Sequence, residues 1–374
     1  MSPCSIRRHS PRRSAAHPLT GAPADFDPLL DRVGDARFVL LGEATHGTHE
    51  FYHARAEITK RLIREKAFTA VAVVADWPDA YRVNRYVRDA SDDRTAEESL
   101  QGFLRFPQWM WRNFDVVDFV DWLRDHDAAL PAENPRVGFY GLDLYSLYAS
   151  IAAVIRYLEV ADPEAAVRAR ERYACFEHAG EEAQIYGRMV DLGVTPSCEE
   201  EALRQLLELR QHAADLALRD GRIPEDEYFY AEQNVGQLVR QCHDNEARLA
   251  GFTTNSGTVT AASDWDGPAE RKQVLPGMPG SFERLFHEVG IPAFLLRLRD
   301  GGEVTEALRE VRLERAIGVI YRPRAERQSH YFEARVGDQF DAVLHYDVTR
   351  ALEPLERTPR WESGEPAETF PSGL

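Results

Sequence analysis

The sequence lacks the features that mark several large classes of protein. None of its apolar runs approaches the roughly 20 residues that a membrane-spanning helix requires, so we expect no membrane partner. Its four cysteines form no CxxC pair and no series at metal-ligand spacing, which is typical of a reduced, cytoplasmic protein. Basic residues are in the minority, 45 against 62 acidic ones, and the net charge of −17 disfavours nucleic acid as a partner.

Several common catalytic and cofactor motifs are also missing. The chain has no Walker A stretch and no Gly-x-Gly-x-x-Gly stretch, which disfavours a nucleotide-binding role. It has no Gly-x-Ser-x-Gly nucleophile elbow. His46 and His49 lie only three residues apart, with no third ligand at metal spacing. We therefore expect neither a metal nor another cofactor.

The chain begins with a basic segment that has no apolar core. Four arginines precede the first acidic residue, Asp25: Arg7, Arg8, Arg12 and Arg13. This composition predicts a disordered tail over residues 1–16 rather than a secretory signal. Residues 17–374 are predicted to be one domain. From about 145 to 247 the patterns are almost only helical, which predicts a helical bundle or cap.

Apolar runs alternate with helical patterns elsewhere in the chain. Residues 37–41 are apolar on both faces, as in a strand covered by helices on both sides. The next helix carries one apolar stripe: Phe51, Ala54, Ile58 and Leu62. Further strands are predicted at 70–75, 136–141, 248–252, 258–261, 292–298, 316–321 and 341–345, and further helices at 80–88, 96–103, 114–129, 281–289 and 303–311. The sequence thus predicts an α/β fold, a mainly parallel sheet flanked by helices, with a helical insertion.

The most informative segment follows the first strand. Four ionisable side chains fall within eight residues: Glu43, His46, His49 and Glu50. Open α/β sheets place their ligand crevices at the carboxyl ends of parallel strands. A histidine there can take a proton from water, and a carboxylate beside it can fix its tautomer. The alternative is a loop histidine with a purely structural role.

Other candidates stand further along the chain, each with a structural alternative. Arg55 lies beside the apolar stripe of the first helix and either pairs with an anion or sits at the protein surface. Asp143 ends the third strand and either faces the same crevice or forms a turn. Trp109 and Trp111 either line an apolar pocket or belong to the core. His330 lies in a polar loop.

Several short stretches together resemble the erythromycin esterase family. They are residues 42–52 (GEATHGTHEFY), 75–79 (ADWPD), 106–113 (FPQWMWRN), 138–143 (GFYGLD), 257–262 (GTVTAA) and 327–332 (RQSHYF). The stretches occur in family order. The resemblance implies an α/β core with a helical cap and metal-independent hydrolysis of an ester, such as the lactone of macrolide antibiotics. It is typical of bacterial enzymes of antibiotic resistance.

The resemblance also implies roles for individual residues. His46 would be the general base that activates water, Glu43 would orient it, and Arg55 would help to bind charge. The substrate-binding set would include Trp77 together with the candidates already named, Trp109, Trp111, Asp143 and His330.

The chain departs from the family pattern at two important places. Val74 stands where the family usually has a glutamate. The chain also runs directly from Asn234 to Val235, where the family has a long segment with a central strand and a second catalytic histidine. Asn255 occupies a position where the family often has tyrosine. We expect residues 227–246 to merge into one helix across the join.

Three functions follow from these observations. The first is a carboxylic ester hydrolase acting on a macrolide lactone or a related small-molecule ester. The second is a degenerate member of the family that binds ligand but turns over poorly. The third is an interaction module without a site, and the retained Glu43, His46 and Arg55 argue against it.

Overall fold

The computed structural model describes residues 15–143, 151, 154–156, 158–159, 162–174, 247–298 and 302–364. These residues belong to two compact units. The first unit contains the described residues up to 68, those from 104 to 120, and those from 247 onwards. The second contains residues 69–103, residues 121–143 and the described part of 151–174.

The secondary structure of these residues comprises ten strands, eleven α-helices and four short 3-10 helices. The strands are β1 (His17–Pro18), β2 (Phe38–Leu41), β3 (Ala70–Asp76), β4 (Gly138–Asp143), β5 (Ala247–Ala261), β6 (Glu270–Val274), β7 (Ala293–Arg297), β8 (Arg312–Arg315), β9 (Tyr331–Ala334) and β10 (Ala342–Thr349). The α-helices are α1 (Asp27–Val33), α2 (His49–Lys66), α3 (Trp77–Val87), α4 (Ala96–Ser99), α5 (Phe114–Ala129), α6 (Pro163–Tyr173), α7 (Phe282–His287), α8 (Glu303–Ala307), α9 (Glu326–Ser329), α10 (Val336–Gln339) and α11 (Pro359–Ser363). The 3-10 helices are Pro23–Phe26, Leu100–Gly102, Gln108–Met110 and Pro323–Ala325.

The first unit is built on a six-stranded sheet in the order β1-β7-β10-β5-β2, with β6 added to β5. The centre of this sheet is parallel, because β5 pairs in parallel with both β2 and β10. The remaining pairs, β10–β7, β7–β1 and β5–β6, are antiparallel. The predicted α/β fold with a central, mostly parallel sheet flanked by helices is confirmed. The carboxyl end of β2, and the turn that follows it, lie at the edge where such sheets bind ligands.

Helices cover both faces of this sheet. On one face the predicted stripe of α2 is confirmed, since its four residues are fully buried: Phe51, Ala54, Ile58 and Leu62. They pack with residues of β5 and β10 that include Phe252 and Leu344. On the other face, Phe282 and Phe286 of α7 pack against Phe294 and Val343. Complete burial of each large apolar side chain contributes roughly 1.5–3 kcal/mol, so these two layers hold β2 and α2 in place.

The second unit contains a parallel pair of strands, β3 and β4. Trp77 of α3 stacks on Tyr81 and on Tyr140 of β4, with ring centroids 6.4 and 5.7 Å apart. The side-chain oxygen of Asn84 accepts a hydrogen bond from the backbone of Phe139 (2.9 Å) and joins the helix to the strand. The unit is therefore a strand–helix–strand element with an aromatic core.

The structure corrects several predicted elements. The strands predicted at 248–252 and 258–261 are one continuous strand, β5, because β10 pairs with it through the intervening threonines. Residues 316–321 form only isolated bridges, at Ile317 and Ile320. The helices predicted at 281–289 and 303–311 are shorter, and β1, β6, β8 and β9 were not predicted.

The first two predicted strands, β2 and β3, belong to different sheets. Within the described residues, β3 pairs with β4 and not with β2. Strand β2 is not covered on both faces either, because Phe38 and Leu40 are 41% and 50% exposed. Two successive strands of the sequence thus belong to different units.

Some predictions fall mainly on residues outside those that the structure describes. These are the helical cap at about 145–247, of which helix α6 is the largest described part, and the single helix over residues 227–246. At the N-terminus, Ala16 of the predicted tail is buried against the apolar cluster of α7. Among the described helices, none combines the length and the apolar composition needed to cross a membrane.

Candidate active site

The turn between β2 and α2 is held to β5 at two points. Gly42 donates its backbone N–H to the carbonyl of Ala250 (2.9 Å), and the N–H of Thr260 donates to the carbonyl of Gly47 (2.9 Å). A Cβ on Gly47 would lie 1.9 Å from the carbonyl oxygen of Thr260, so only glycine permits this approach. The glycines of the motif therefore fix the path of the turn.

The residues around His46 are held by the segment that follows β8. The backbone N–H of His46 donates to the carbonyl of Ile317 (3.1 Å), and the N–H of Ile317 donates to the carbonyl of Ala44 (2.7 Å). A Cβ on Gly318 would lie 3.9 Å from the imidazole ring. This segment thus borders the histidine without filling the space beside it.

Glu43, His46 and Arg55 form one hydrogen-bonded network. One carboxylate oxygen of Glu43 contacts Nδ1 of His46 at 2.6 Å, and the other accepts a hydrogen bond from Nη1 of Arg55 at 2.8 Å. Nε2 of His46 has no hydrogen-bond partner among the described residues, and the side chain is 36% exposed. The imidazole is therefore oriented through one nitrogen and presents the other to solvent.

Electrostatics keep the carboxylate of this network ionised. Burial by itself would raise the pKa of Glu43, but the charge of Arg55 and the hydrogen bond from His46 outweigh it and lower that pKa. The charge of Glu43 overcomes the opposite effect of burial on Arg55 and raises the guanidinium pKa. In an ion pair of this kind, the hydrogen bonds fix the geometry, and each charge favours the ionised form of the other partner.

Tyr52 supports the network from α2. Its hydroxyl donates to the backbone carbonyl of His46 (3.1 Å), and the guanidinium of Arg55 lies over its ring, 4.4 Å from the centroid. Burial raises the pKa of Tyr52, so the phenol stays protonated and remains a donor. Tyr52 was not among the predicted site residues, although it lies in the motif and one helical turn before Arg55.

The same segment of sequence carries the histidine of a second pair of histidine and carboxylate. Nδ1 of His49 contacts Oδ2 of Asp115 at 2.8 Å. Asp115 comes from the first turn of α5, and sequence spacing offered no signal for it, because 66 residues separate the two partners. Glu50, the fourth ionisable residue of the segment, binds the backbone N–H and the guanidinium of Arg350 instead.

The candidates for substrate binding in the first unit differ in their surroundings. Trp109 is buried and lies edge-on to Phe106 at 5.5 Å, which favours the core alternative. Trp111 is half-buried. His330 is half-buried, 5.2 Å from the ring of Tyr321, and burial lowers its pKa. The carbonyl of His330 accepts from the N–H of Ala316, which precedes the segment that borders His46.

The other candidates lie in the second unit. Trp77 is buried in the aromatic stack, which again favours a core role. Asp143 is the last residue of β4 and pairs with Asp76 across the two strands. Val74, at the position where the sequence analysis expected a glutamate, is 70% exposed. Roles in substrate binding remain predictions for all of these residues.

The fold and the site define an α/β protein with an oriented, partly exposed histidine at the carboxyl edge of its sheet. The family model described as erythromycin esterase matches residues 63–235 and 231–349, well over half of the chain. The chain belongs to the erythromycin esterase family. The two matched ranges overlap at 231–235, which is where the sequence analysis located a missing segment. The match begins after the segment that carries Glu43, His46 and Arg55.

Curated proteins and solved structures are similar to this chain. Erythromycin esterase type II of Escherichia coli is 27% identical over 120 residues, a match that spans 32% of this chain and only about a quarter (26%) of that protein. A succinoglycan biosynthesis protein superposes with a TM-score of 0.70 at 21% identity, covering 91% of this chain and 96% of that one. A protein from Bacillus cereus gives 0.67 at 18% identity, covering 92% and 97%. A mutant of the erythromycin esterase EreC in its open conformation gives 0.54 at 15% identity, covering 87% and 93%. At these identities the structures show a shared fold alone.

Proposed function

We propose that this protein hydrolyses carboxylic esters of small molecules, with His46 as the general base. The observation that carries the proposal is the hydrogen-bonded chain from Arg55 through Glu43 to Nδ1 of His46. It leaves Nε2 as the nitrogen that can accept a proton. Histidine serves this role well because an imidazole changes its charge close to neutral pH.

The reaction follows from this geometry. A water molecule hydrogen-bonded to Nε2 of His46 loses a proton to the ring while its oxygen attacks the ester carbonyl carbon. The tetrahedral intermediate then expels the alkoxide, which takes up a proton and leaves as the alcohol. Glu43 fixes the orientation of the ring and stabilises the imidazolium that forms. Arg55 keeps Glu43 ionised and in place.

The substrate class that we propose is a macrolide lactone or a related ester, by analogy with the family. Cleavage of such a ring in the cytoplasm would protect a bacterium from the antibiotic. Expression of this chain in a macrolide-sensitive strain should then raise the inhibitory concentration of erythromycin. Expression of the His46→Ala variant at the same level should not.

A second candidate is a ligand-binding protein with impaired turnover. Two observations favour it: the valine at position 74 in place of a carboxylate, and the join at Asn234–Val235 where the two family matches overlap. In this case erythromycin binds to the protein, as measured by calorimetry, but is not opened.

The test compares wild-type protein with His46→Ala and Glu43→Gln on erythromycin and on a simple ester. Loss of a general base reduces the rate by about 10²–10⁴-fold, and both variants should show a loss in this range. His287→Gln is a matched control, because His287 pairs with Asp347 at 2.7 Å on the other face of the sheet. Unchanged hydrolysis in His46→Ala would place the chemistry elsewhere. Tight binding by an inert wild-type protein would support the second candidate.

A further inference from the structure

His49 and Asp115 repeat the arrangement of His46 and Glu43. In each pair a carboxylate oxygen holds Nδ1 of the imidazole, at 2.8 Å for His49 and 2.6 Å for His46. The two histidines are also similarly exposed, at 31% and 36%, whereas their carboxylates are mostly buried. In the part of the chain that the structure describes, Nε2 of His49 has no hydrogen-bond partner. It is therefore open to a ligand in the same way as Nε2 of His46.

The two pairs adjoin the same phenol. Tyr52 lies three residues after His49 on α2, so the two side chains share one face of the helix. The hydroxyl of Tyr52 donates to the backbone carbonyl of His46 (3.1 Å). The charges of Glu43 and Asp115 both act on this phenol and raise its pKa, after the larger effect of burial. Tyr52 thus contacts the backbone of His46 and lies one helical turn from His49, within reach of the charge of each carboxylate.

We propose that His49 is a second catalytic residue, the proton donor to the leaving alkoxide, and that Asp115 is its positioning residue. The inference rests on the proposed ester hydrolysis. As the carbon–oxygen bond of the tetrahedral intermediate breaks, the bonding electrons go to the alkoxide oxygen, which takes the proton from Nε2 of His49. The ring is reprotonated with the proton that His46 removed from water. The overall reaction remains ester plus water giving acid plus alcohol.

The charges around His49 suit a donor. The hydrogen bond that Asp115 accepts from Nδ1 of His49 raises the pKa of His49, and the negative charges of Asp115 and Glu50 add to this effect. Burial and the positive charge of Arg350 act in the opposite direction but are outweighed. The ring of His53 stacks on that of His49 at 5.8 Å. The imidazole thus stays protonated at higher pH than a free histidine, as an acid catalyst requires.

A purely structural role is the competing explanation, because the pair ties the start of α2 to the start of α5. The two explanations differ in how they depend on the leaving group. An aryl alkoxide such as 4-nitrophenolate leaves without a proton, whereas an alkyl alkoxide must be protonated. If the pair is only structural, its loss lowers the hydrolysis of both esters equally. If His49 is a proton donor, its loss lowers only the hydrolysis of the alkyl ester.

The experiment therefore measures kcat/KM for 4-nitrophenyl butyrate and ethyl butyrate in wild-type protein, His49→Gln, Asp115→Asn and the control His287→Gln. We expect His49→Gln to lower the ethyl ester rate by about 10²-fold or more and to leave the aryl ester rate little changed. Asp115→Asn should reduce the ethyl ester rate less and shift its alkaline limb to lower pH. The control should match wild type on both esters.

The outcomes separate this inference from the proposed function. Equal losses on both esters in His49→Gln would overturn the donor role and leave the general-base proposal intact. A wild-type protein that cleaves neither ester nor lactone would overturn the proposed function and the donor role with it. A measurement on the wild-type protein alone does not depend on whether a variant folds. The ethyl ester should show an alkaline limb in its pH profile that the aryl ester lacks. Identical profiles for the two esters would also refute the donor.

Discussion

Replacing Glu314 by glutamine should stabilise the protein above neutral pH. This glutamate lies on β8, is only 7% exposed, and has no hydrogen-bond partner among the described residues. Its neighbour Glu283 is buried as well, and one oxygen of that carboxylate accepts the backbone N–H of Arg315 (2.9 Å). Two buried carboxyl groups of like charge therefore lie close together, and ionisation of either is unfavourable.

The size of the effect follows from the pKa. Burial, with a smaller contribution from the charge of Glu283, raises the pKa of Glu314 to about 7 from 4.5. At about 1.36 kcal/mol per pH unit, this difference corresponds to roughly 3 kcal/mol of unfolding free energy. Below pH 4.5 Glu314 is protonated in both the folded and the unfolded state, so it does not lower the unfolding free energy.

The sign of the pH dependence follows from which state releases the proton first. As the pH rises from 4.5 to 7, the unfolded chain gives up the proton of Glu314 while the folded chain still holds it, so the folded state loses stability. Above pH 7 the loss is complete and constant. Glutamine has no proton to lose, and Glu314→Gln therefore removes this loss.

Urea unfolding at pH 5 and pH 8 measures the difference. Relative to wild type, Glu314→Gln should gain about 2–3 kcal/mol more at pH 8 than at pH 5. For a cooperative unit of 150–250 residues, each kcal/mol corresponds to about 2–4 °C in melting temperature. The matched control is Glu333→Gln, because Glu333 lies on the paired strand β9 and is exposed. If Glu314→Gln and Glu333→Gln both show the pH dependence of wild type, the carboxyl groups of Glu314 and Glu283 are solvated and the reasoning is wrong.

Three further predictions test other parts of the molecule. Arg315→Ala should cost about 3–5 kcal/mol or prevent folding, because it leaves Glu326, its partner at 3.0 Å, as an unpaired buried charge; a normal denaturation midpoint would contradict this. Val74→Glu should change the unfolding free energy by no more than about 0.5 kcal/mol, because the side chain is exposed, and thermal melting measures it. Chelators should leave any ester hydrolysis unchanged, because both oxygens of Glu43 and Nδ1 of His46 are already engaged; stoichiometric zinc in active protein, with loss of activity on chelation, would contradict it.

Local patterns were sufficient for the parts of the fold that depend on one element alone. The helix predicted at 114–129 has those bounds in the structure, and the apolar stripe of α2 is buried as predicted. Both follow from periodicity, since a helix that must bury one face repeats its apolar residues every three or four positions. Strand β2 was located in the same way.

Pairing between distant segments could not be predicted in this way. The order β1-β7-β10-β5-β2, the separate pair β3–β4 and the continuous strand β5 all depend on which strand lies beside which. An apolar run in the sequence does not specify which other strand pairs with it. The exposed faces of Phe38 and Leu40 show the same limit, because the pattern of a strand does not reveal whether anything covers it.

The candidate site also combines local contacts with contacts between distant segments. Glu43, His46 and Arg55 fall within thirteen residues, so one strand end and the first turns of one helix bring them together. Their contact could be inferred from the sequence. Asp115 could not, because its approach to His49 depends on how α5 packs in the first unit.

The origin of the contacts that hold the candidate site bears on whether a segment missing at Asn234–Val235 would disturb it. The ties that hold the turn after β2 come from residues of the first unit: Ala250, Thr260, Ile317 and Leu352. Among the described residues, the network of Glu43, His46 and Arg55 is built from the turn after β2, from α2 and from these ties. A segment missing at Asn234–Val235 would therefore remove none of these contacts, and the proposed hydrolysis should depend on His46.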